Sequence, residues 1–205
     1  KRQGIKTLPS RRPNLISNNK KETALEIRKS TEADRGDIEK IHTKAFGEKK
    51  GPEIAELVNG LFDDKTAMPL LSLVAVENDQ LIGHILYTKS VLTGNDKPIS
   101  IRLLAPLAVL PDAQSKGVGS KLIKEGLRQL KDSGVELVFV LGHPEYYPRC
   151  GFTTAGVLGF EAPYPIPEEH ADAWMVQALE DGVIGHVKGK VQCSKVLNQP
   201  QHWRE

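Results

Sequence analysis

Residues 99–141 read as strand, helix, strand, and this unit restricts the fold more than any other part of the chain. Residues 99–110 read as a strand, apolar apart from Ser100 and Arg102. From Val118 the period becomes helical: Val118, Leu122, Ile123, Leu127 and Leu130 make one stripe, which Lys131, Asp132, Ser133 and Gly134 bring to an end. Residues 135–141, VELVFVL, are a short apolar run with a glycine on either side, the pattern of a strand covered on both faces. A helix between two such strands is a parallel crossover, so the segment predicts the centre of an α/β sheet.

The flanking sequence supplies further strands and helices. Residues 25–31 read as a strand ending at Thr31, which with Asp34 imitates a capping box before a helix bearing Ile38, Ile41, Ala45 and Phe46. Pro52, at a first-turn position, opens a second helix with Ile54, Leu57, Val58 and Leu61 on one face. Strands at 71–77 and 81–89 are separated by Asn78, Asp79 and Gln80, which predicts a hairpin. After the crossover come a short helix near 143–150, an irregular stretch APYPIP at 162–167 and a strand at 173–179. No internal repeat is present.

Gln114, Ser115, Lys116, Gly117, Val118, Gly119 and Ser120 join the 99–110 strand to the long helix. Glycines at such a junction let the backbone approach a ligand. Unpaired amides of the first helical turn, together with the helix dipole, form an anion site that suits a pyrophosphate, and Lys116 adds a mobile positive charge. Two commoner phosphate motifs are excluded. The Walker pattern needs glycine and lysine where Gln114 and Ser120 stand, and the dinucleotide fingerprint needs a third glycine where Leu122 stands. On these residues alone an ordinary glycine-bearing turn is the alternative.

With 205 residues, 39% of them hydrophobic, the chain is of a size and composition for one globular domain with appendages. The divisions expected are a basic, disordered tail at 1–24, a domain at 25–180 and a C-terminal extension at 181–205. Residues 1–24 hold seven basic side chains and one acid, whereas the remainder holds 21 basic and 25 acidic groups, so the body is mildly acidic. The tail lacks an aromatic residue to stack on bases, and nucleic acid is not the expected partner; an arm acting on phosphate charge alone is the alternative. Cys150 and Cys193 are too few for a disulfide scaffold and lie in no zinc spacing, which points to a reduced, cytoplasmic setting. The longest uncharged apolar run, 103–111, is far short of the roughly 18 residues that span a bilayer, so no membrane partner is expected.

The segment LAVLPDAQSKGVGSKLI (107–123) resembles the acetyl-coenzyme A signature of the GNAT N-acetyltransferase superfamily, a strand followed by Q/R-x-x-G-x-G/A and a long helix. VELVFVLG and HPEYYPRCGF look like the family's next strand and its Y-x-x-x-G-F element. GHILYT (83–88), LLAPLAVLP, the YYPRCGF box, APYPIPEE, WMVQAL and GKV are similar to the YhbS-like subgroup, and the likeness covers about residues 25–191. It implies a GNAT fold, a mixed, mostly antiparallel sheet with splayed fourth and fifth strands flanked by helices. The activity implied is transfer of acetyl from acetyl-coenzyme A to a primary amine by direct attack in a ternary complex, with no metal. The acceptor is a small-molecule or protein amine, and family members often pair as homodimers through sheet edges or C-terminal strands. A non-catalytic acyl-coenzyme A sensor or partner-binding module is the alternative.

By position, the resemblance implies that the backbones of Leu107, Ala108 and Val109 pair with the pantetheine arm, the Val109 amide polarising the thioester carbonyl. Gln114 opens the pyrophosphate loop, and Ser115, Lys116, Gly117, Val118, Gly119 and Ser120 form it. Tyr147, five residues before Phe152, takes the place of the general acid; a phenol with a pKa of about 10 stays protonated at neutral pH and can donate to a departing thiolate. Tyr146 is its neighbouring competitor. For the general base the residues leave His84, Glu48, Glu53 and Glu145 open. Two positions depart from the subgroup, which usually has an acid at His143 and an aromatic at Cys150. Cys150 reads either as a thiol nucleophile beside His143 or as a small residue filling a helical turn.

Overall fold

Hydrophobic runs in the central strands require cover on both sides, and the chain supplies it with one helix on each face. The computed structural model describes residues 24–203 apart from Lys97, so the basic tail before Ala24 lies outside the described residues. The elements are β1 (Glu26–Lys29), α1 (Arg35–Asp63), β2 (Leu71–Glu77), β3 (Gln80–Thr93), β4 (Ile101–Val109), α2 (Val118–Asp132), β5 (Leu137–Leu141), β6 (Thr153–Thr154), β7 (Phe160–Glu161), β8 (Trp174–Ala178) and β9 (Gly189–Gln192). The sheet runs β1-β2-β3-β4-β5-β8-β6, with β9 paired to both β3 and β7. The crossover pair β4–β5 is parallel, as is β7–β9, and the other pairs are antiparallel.

On β5, Val138 and Val140 join Leu122, Ile123, Leu127 and Leu130 of α2 in one core, while Leu137 and Phe139 join Leu57 and Leu61 of α1 in the other. This is the two-sided burial that the VELVFVL run predicts. The β2–β3 hairpin closes on Asn78 (φ 52°) and Asp79 (φ 59°), two residue types that tolerate the left-handed region demanded by a tight hairpin turn. β3 extends to Thr93, beyond the expected Lys89, because Val91, Leu92 and Thr93 pair with Gln192, Val191 and Lys190 of β9. The two helices expected before β2 are both present within the stretch α1, meeting at a kink at Gly47, whose φ of 73° and ψ of −179° are not helical. Beyond Asp181 the chain packs back on the α1-side core through Val191, Leu197 and Trp203.

The entry to α1 is held by Asp34. Its Oδ2 accepts from the Thr31 amide (2.7 Å) and hydroxyl (2.9 Å), and Arg28 forks onto both of its oxygens at 2.7 and 2.9 Å. The Arg28 guanidinium in particular holds the Asp34 carboxyl well below the usual carboxylate range. A carboxylate with a depressed native pKa stabilises the fold above the unfolded value of about 4, and that contribution fades as the pH falls toward the native value. Asp34→Asn should therefore cost about 1–2 kcal/mol at pH 7, and the deficit should shrink below about pH 4; urea titrations at the two pH values check this.

Candidate active site

β4 is paired along nearly its whole length on one edge and along only half of it on the other. Residues 101–104 of β4 stand beside residues 137–140 of β5, from Ile101↔Leu137 to Leu104↔Val140, and the β4–β5 ladder ends there. On its other edge β4 continues against β3, with Leu107 opposite Ile85, Ala108 opposite His84 and Val109 opposite Gly83. The register shifts between Ile85 and Tyr87, where β4 carries one residue more than β3. Pro106, which has no N–H to give a ladder, sits in this bulge. Past Leu141, Gly142 donates to the Ala173 carbonyl, so the chain after β5 stays with the β8 side while β4 stays with β3. A gap opens between them.

Strand parity shows which amides face that gap. The Leu110 amide donates to the Ile82 carbonyl on the β3 side at 2.8 Å. Successive residues point their amides to opposite edges, so the Ala108 amide faces β3 and the amides of Leu107 and Val109 face the gap. The loop is tied to this strand end by Gln114, whose Nε2 donates to the Val109 carbonyl at 3.0 Å.

The loop then enters α2 through two residues in the left-handed region, Ser115 (φ 60°) and Gly117 (φ 79°). Gly117 is the N-cap residue, and its φ is one that glycine adopts without penalty. Among the described residues, no amide of 115–120 makes a well-formed hydrogen bond to a backbone carbonyl, while the Lys121 amide starts the helical ladder at the Gly117 carbonyl. Gln114, Ser115, Lys116 and Gly117 are exposed, Ser120 is half-buried, and Val118 and Gly119 are buried. A row of free amides at a helix N-terminus is a site for an anion.

Tyr146 and Tyr147 bring the segment after β5 to the same place. The Tyr146 hydroxyl lies against Gly119 and beside Ser120, where a side chain on Gly119 would collide with it. Tyr147 is buried in the α2-side core, to which Leu107 and Val109 also pack, with its ring edge-on to Tyr146 and Phe152. Burial pushes the Tyr147 hydroxyl well above its ordinary pKa, and Tyr146 and Cys150 add to the effect. Cys150 is buried in this core while His143 is exposed, and no hydrogen bond joins them among the described residues. A cleft of ≈ 510 Å³ lies here, lined by His143, Glu145, Tyr146 and Arg149 among others.

A second cleft, of ≈ 480 Å³, lies where the break in α1 meets the end of β4. Thr43, Lys44, Gly47 and Glu48 form one wall and Leu110, Pro111 and Asp112 the other. Of the four candidate bases, Glu48 lines this cleft and Glu145 the other. Glu53 is exposed and faces His202. His84 is fully buried, with Nδ1 2.8 Å from His42 Nε2 and Nε2 2.9 Å from Ser72 Oγ, which is itself 2.5 Å from Ser30 Oγ. His42, four positions after Ile38, is a buried polar residue of α1 that nothing in the sequence pattern singles out. Burial lowers its pKa to about 4 and lowers that of His84 well below the ordinary range.

Among the described residues no three His, Cys, Asp or Glu side chains could together hold a metal ion, and no helix is long and apolar enough to cross a membrane.

The fold is that of an acetyltransferase of the GNAT class. Residues 26–155 match the family model for the acetyltransferase (GNAT) domain, and the chain belongs to that family of N-acetyltransferases. It is similar to the N-acetyltransferase YjhQ of Escherichia coli (strain K12), with 47% identity over 161 residues, 76% of this chain and 87% of that protein. Among solved structures it is similar to YhbS from Escherichia coli in complex with CoA (TM-score 0.76, 27% identity, 85% of this chain and 92% of that one). It is also similar to a GNAT family acetyltransferase from Brucella melitensis in complex with acetyl-CoA (TM-score 0.67, 29% identity, 85% and 98%).

Proposed function

We propose that this chain binds acetyl-coenzyme A in the gap between β4 and β5 and transfers its acetyl group to a primary amine by direct attack in a ternary complex. The observation that carries the reading is that the free amides of 115–120 and the gap-facing amides of Leu107 and Val109 lie at one end of β4, as a pyrophosphate joined to a thioester arm requires. The two relatives with CoA or acetyl-CoA bound support it. In the reaction the amine nitrogen forms a bond to the acetyl carbon and gives up a proton to water, and the carbon–sulfur bond breaks. The Val109 amide stabilises the oxyanion, and Tyr147 protonates the departing thiolate.

Calorimetry should give heat with both acetyl-coenzyme A and coenzyme A, and the chain should release free thiol from acetyl-coenzyme A when offered spermidine, an aminoglycoside or a lysine peptide. Binding without thiol release from any of these amines would favour a non-catalytic acyl-coenzyme A sensor; absence of heat with either nucleotide on a folded sample would remove the ligand itself.

A further inference from the structure

We propose that Arg149 binds the 3′-phosphate of coenzyme A, with the adenosine that carries it lying in the cleft bounded by His143, Tyr146 and Arg149. This rests on the acetyl-coenzyme A reading above and extends it from the pyrophosphate loop to the nucleotide end of the ligand. Coenzyme A has a third phosphate, on its ribose. Such a monoester carries about two negative charges at neutral pH and calls for a cation of its own.

Arg149 is a cation without a partner. Among the described residues, Arg28, Arg35 and Arg128 are ion-paired and Arg102 donates to the Ile101 carbonyl at 2.9 Å, whereas the Arg149 guanidinium makes neither an ion pair nor a side-chain hydrogen bond. Its root is nevertheless fixed. Residues Tyr147–Cys150 form one short helical turn, and Tyr147 and Cys150 bury that turn in the α2-side core. The Arg149 amide donates to the Tyr146 carbonyl at 3.3 Å, and Gly151, with a φ of 95°, closes the turn. Pro148 and Arg149 are left on the outer side, exposed.

The cleft adjoins the anion site, and Tyr146 is the link. It lines the cleft, and its hydroxyl lies against Gly119 and beside Ser120 in the first turn of α2. Burial raises the Tyr146 pKa, and the Arg149 charge is near enough to oppose the rise. Arg149 thus stands across one side chain from the free amides of 115–120. In coenzyme A one ribose joins the pyrophosphate to the third phosphate, so a site for the first needs a site for the second within a nucleoside's reach. At ≈ 510 Å³ the cleft falls among small-ligand sites, which run from about 300 to 1,000 Å³. A guanidinium can meet two phosphate oxygens at once, and His143, exposed at the same wall, adds a ring N–H donor. Glu145 lines the cleft too and repels a phosphate, so the net preference is the Arg149 contribution less that of Glu145.

Calorimetry with coenzyme A and with 3′-dephospho-coenzyme A separates the third phosphate from the rest of the ligand. The wild type should bind coenzyme A at least about tenfold more tightly than the dephospho form. Arg149→Gln changes an exposed side chain and strands no partner. It should weaken coenzyme A about tenfold, leave dephospho-coenzyme A within about twofold, and so remove the preference. Arg149→Lys keeps the charge and loses the fork, and should retain a preference of about threefold. A wild type that binds both forms equally, or an Arg149→Gln chain that loses affinity for both alike or for neither, overturns the proposal and leaves the transferase reading intact. So does an Arg149→Gln chain whose KM rises for the amine and not for acetyl-coenzyme A. A folded wild type that binds neither form overturns the coenzyme A reading, and this one with it.

Discussion

Gly117→Asp should weaken coenzyme A binding by about a hundredfold, roughly 2.7 kcal/mol, in calorimetry on samples whose circular dichroism matches the wild type. Two effects act at this position. The residue has φ 79°, and a side chain there meets no heavy atom within 4 Å, so backbone conformation rather than crowding sets the cost to the fold. Alanine bears the full left-handed penalty of about 1 kcal/mol, whereas aspartate tolerates that region better. The carboxylate, however, lies among the amides of 115–120 and competes with the pyrophosphate for them, repelling it as well. Gly117→Ala should therefore lose stability with Kd changed by less than about fivefold, and Gly117→Asp should do the reverse. Equal Kd values for the two variants would show that the loop does not hold the anion.

The sequence made the crossover legible because its elements carry their period within themselves. VELVFVL needs no partner to reveal two-sided burial, and the stripe from Val118 to Leu130 needs none to reveal a helix. β9 was illegible for the opposite reason. Gly189–Gln192 is four residues long, and what makes it a strand is pairing with Thr93 and its neighbours about a hundred positions away. The same pairing lengthens β3 past Lys89. Among the candidate site residues, the turn from Gln114 to Ser120 is legible as a backbone feature because glycine spacing encodes a backbone need. The orientation of the Leu107 and Val109 amides is not, since it depends on the bulge at Pro106 and on β3 register. The buried His42–His84 contact is hidden in the same way, since a histidine among Ile38, Ile41 and Phe46 shows no partner until β3 brings His84 against it.

Tyr147→Phe should lower kcat by about a hundredfold while leaving the Kd for coenzyme A within about twofold. The ring is only 8% exposed, and the hydroxyl makes no hydrogen bond among the described residues, so its removal strands no partner and the fold should hold. The raised pKa decides the direction of the pH dependence. A phenol acting as an acid is useful while protonated, and one pushed upward by burial stays protonated beyond the ordinary value of about 10, so wild-type kcat should show no alkaline decline below that pH. Tyr146→Phe supplies the contrast. Its hydroxyl lies against Gly119 and beside Ser120 at the start of α2, so its loss should change coenzyme A affinity with little effect on kcat. If the kcat loss follows Tyr146 instead, the proton comes from the neighbouring ring and Tyr147 serves only to pack against Phe152.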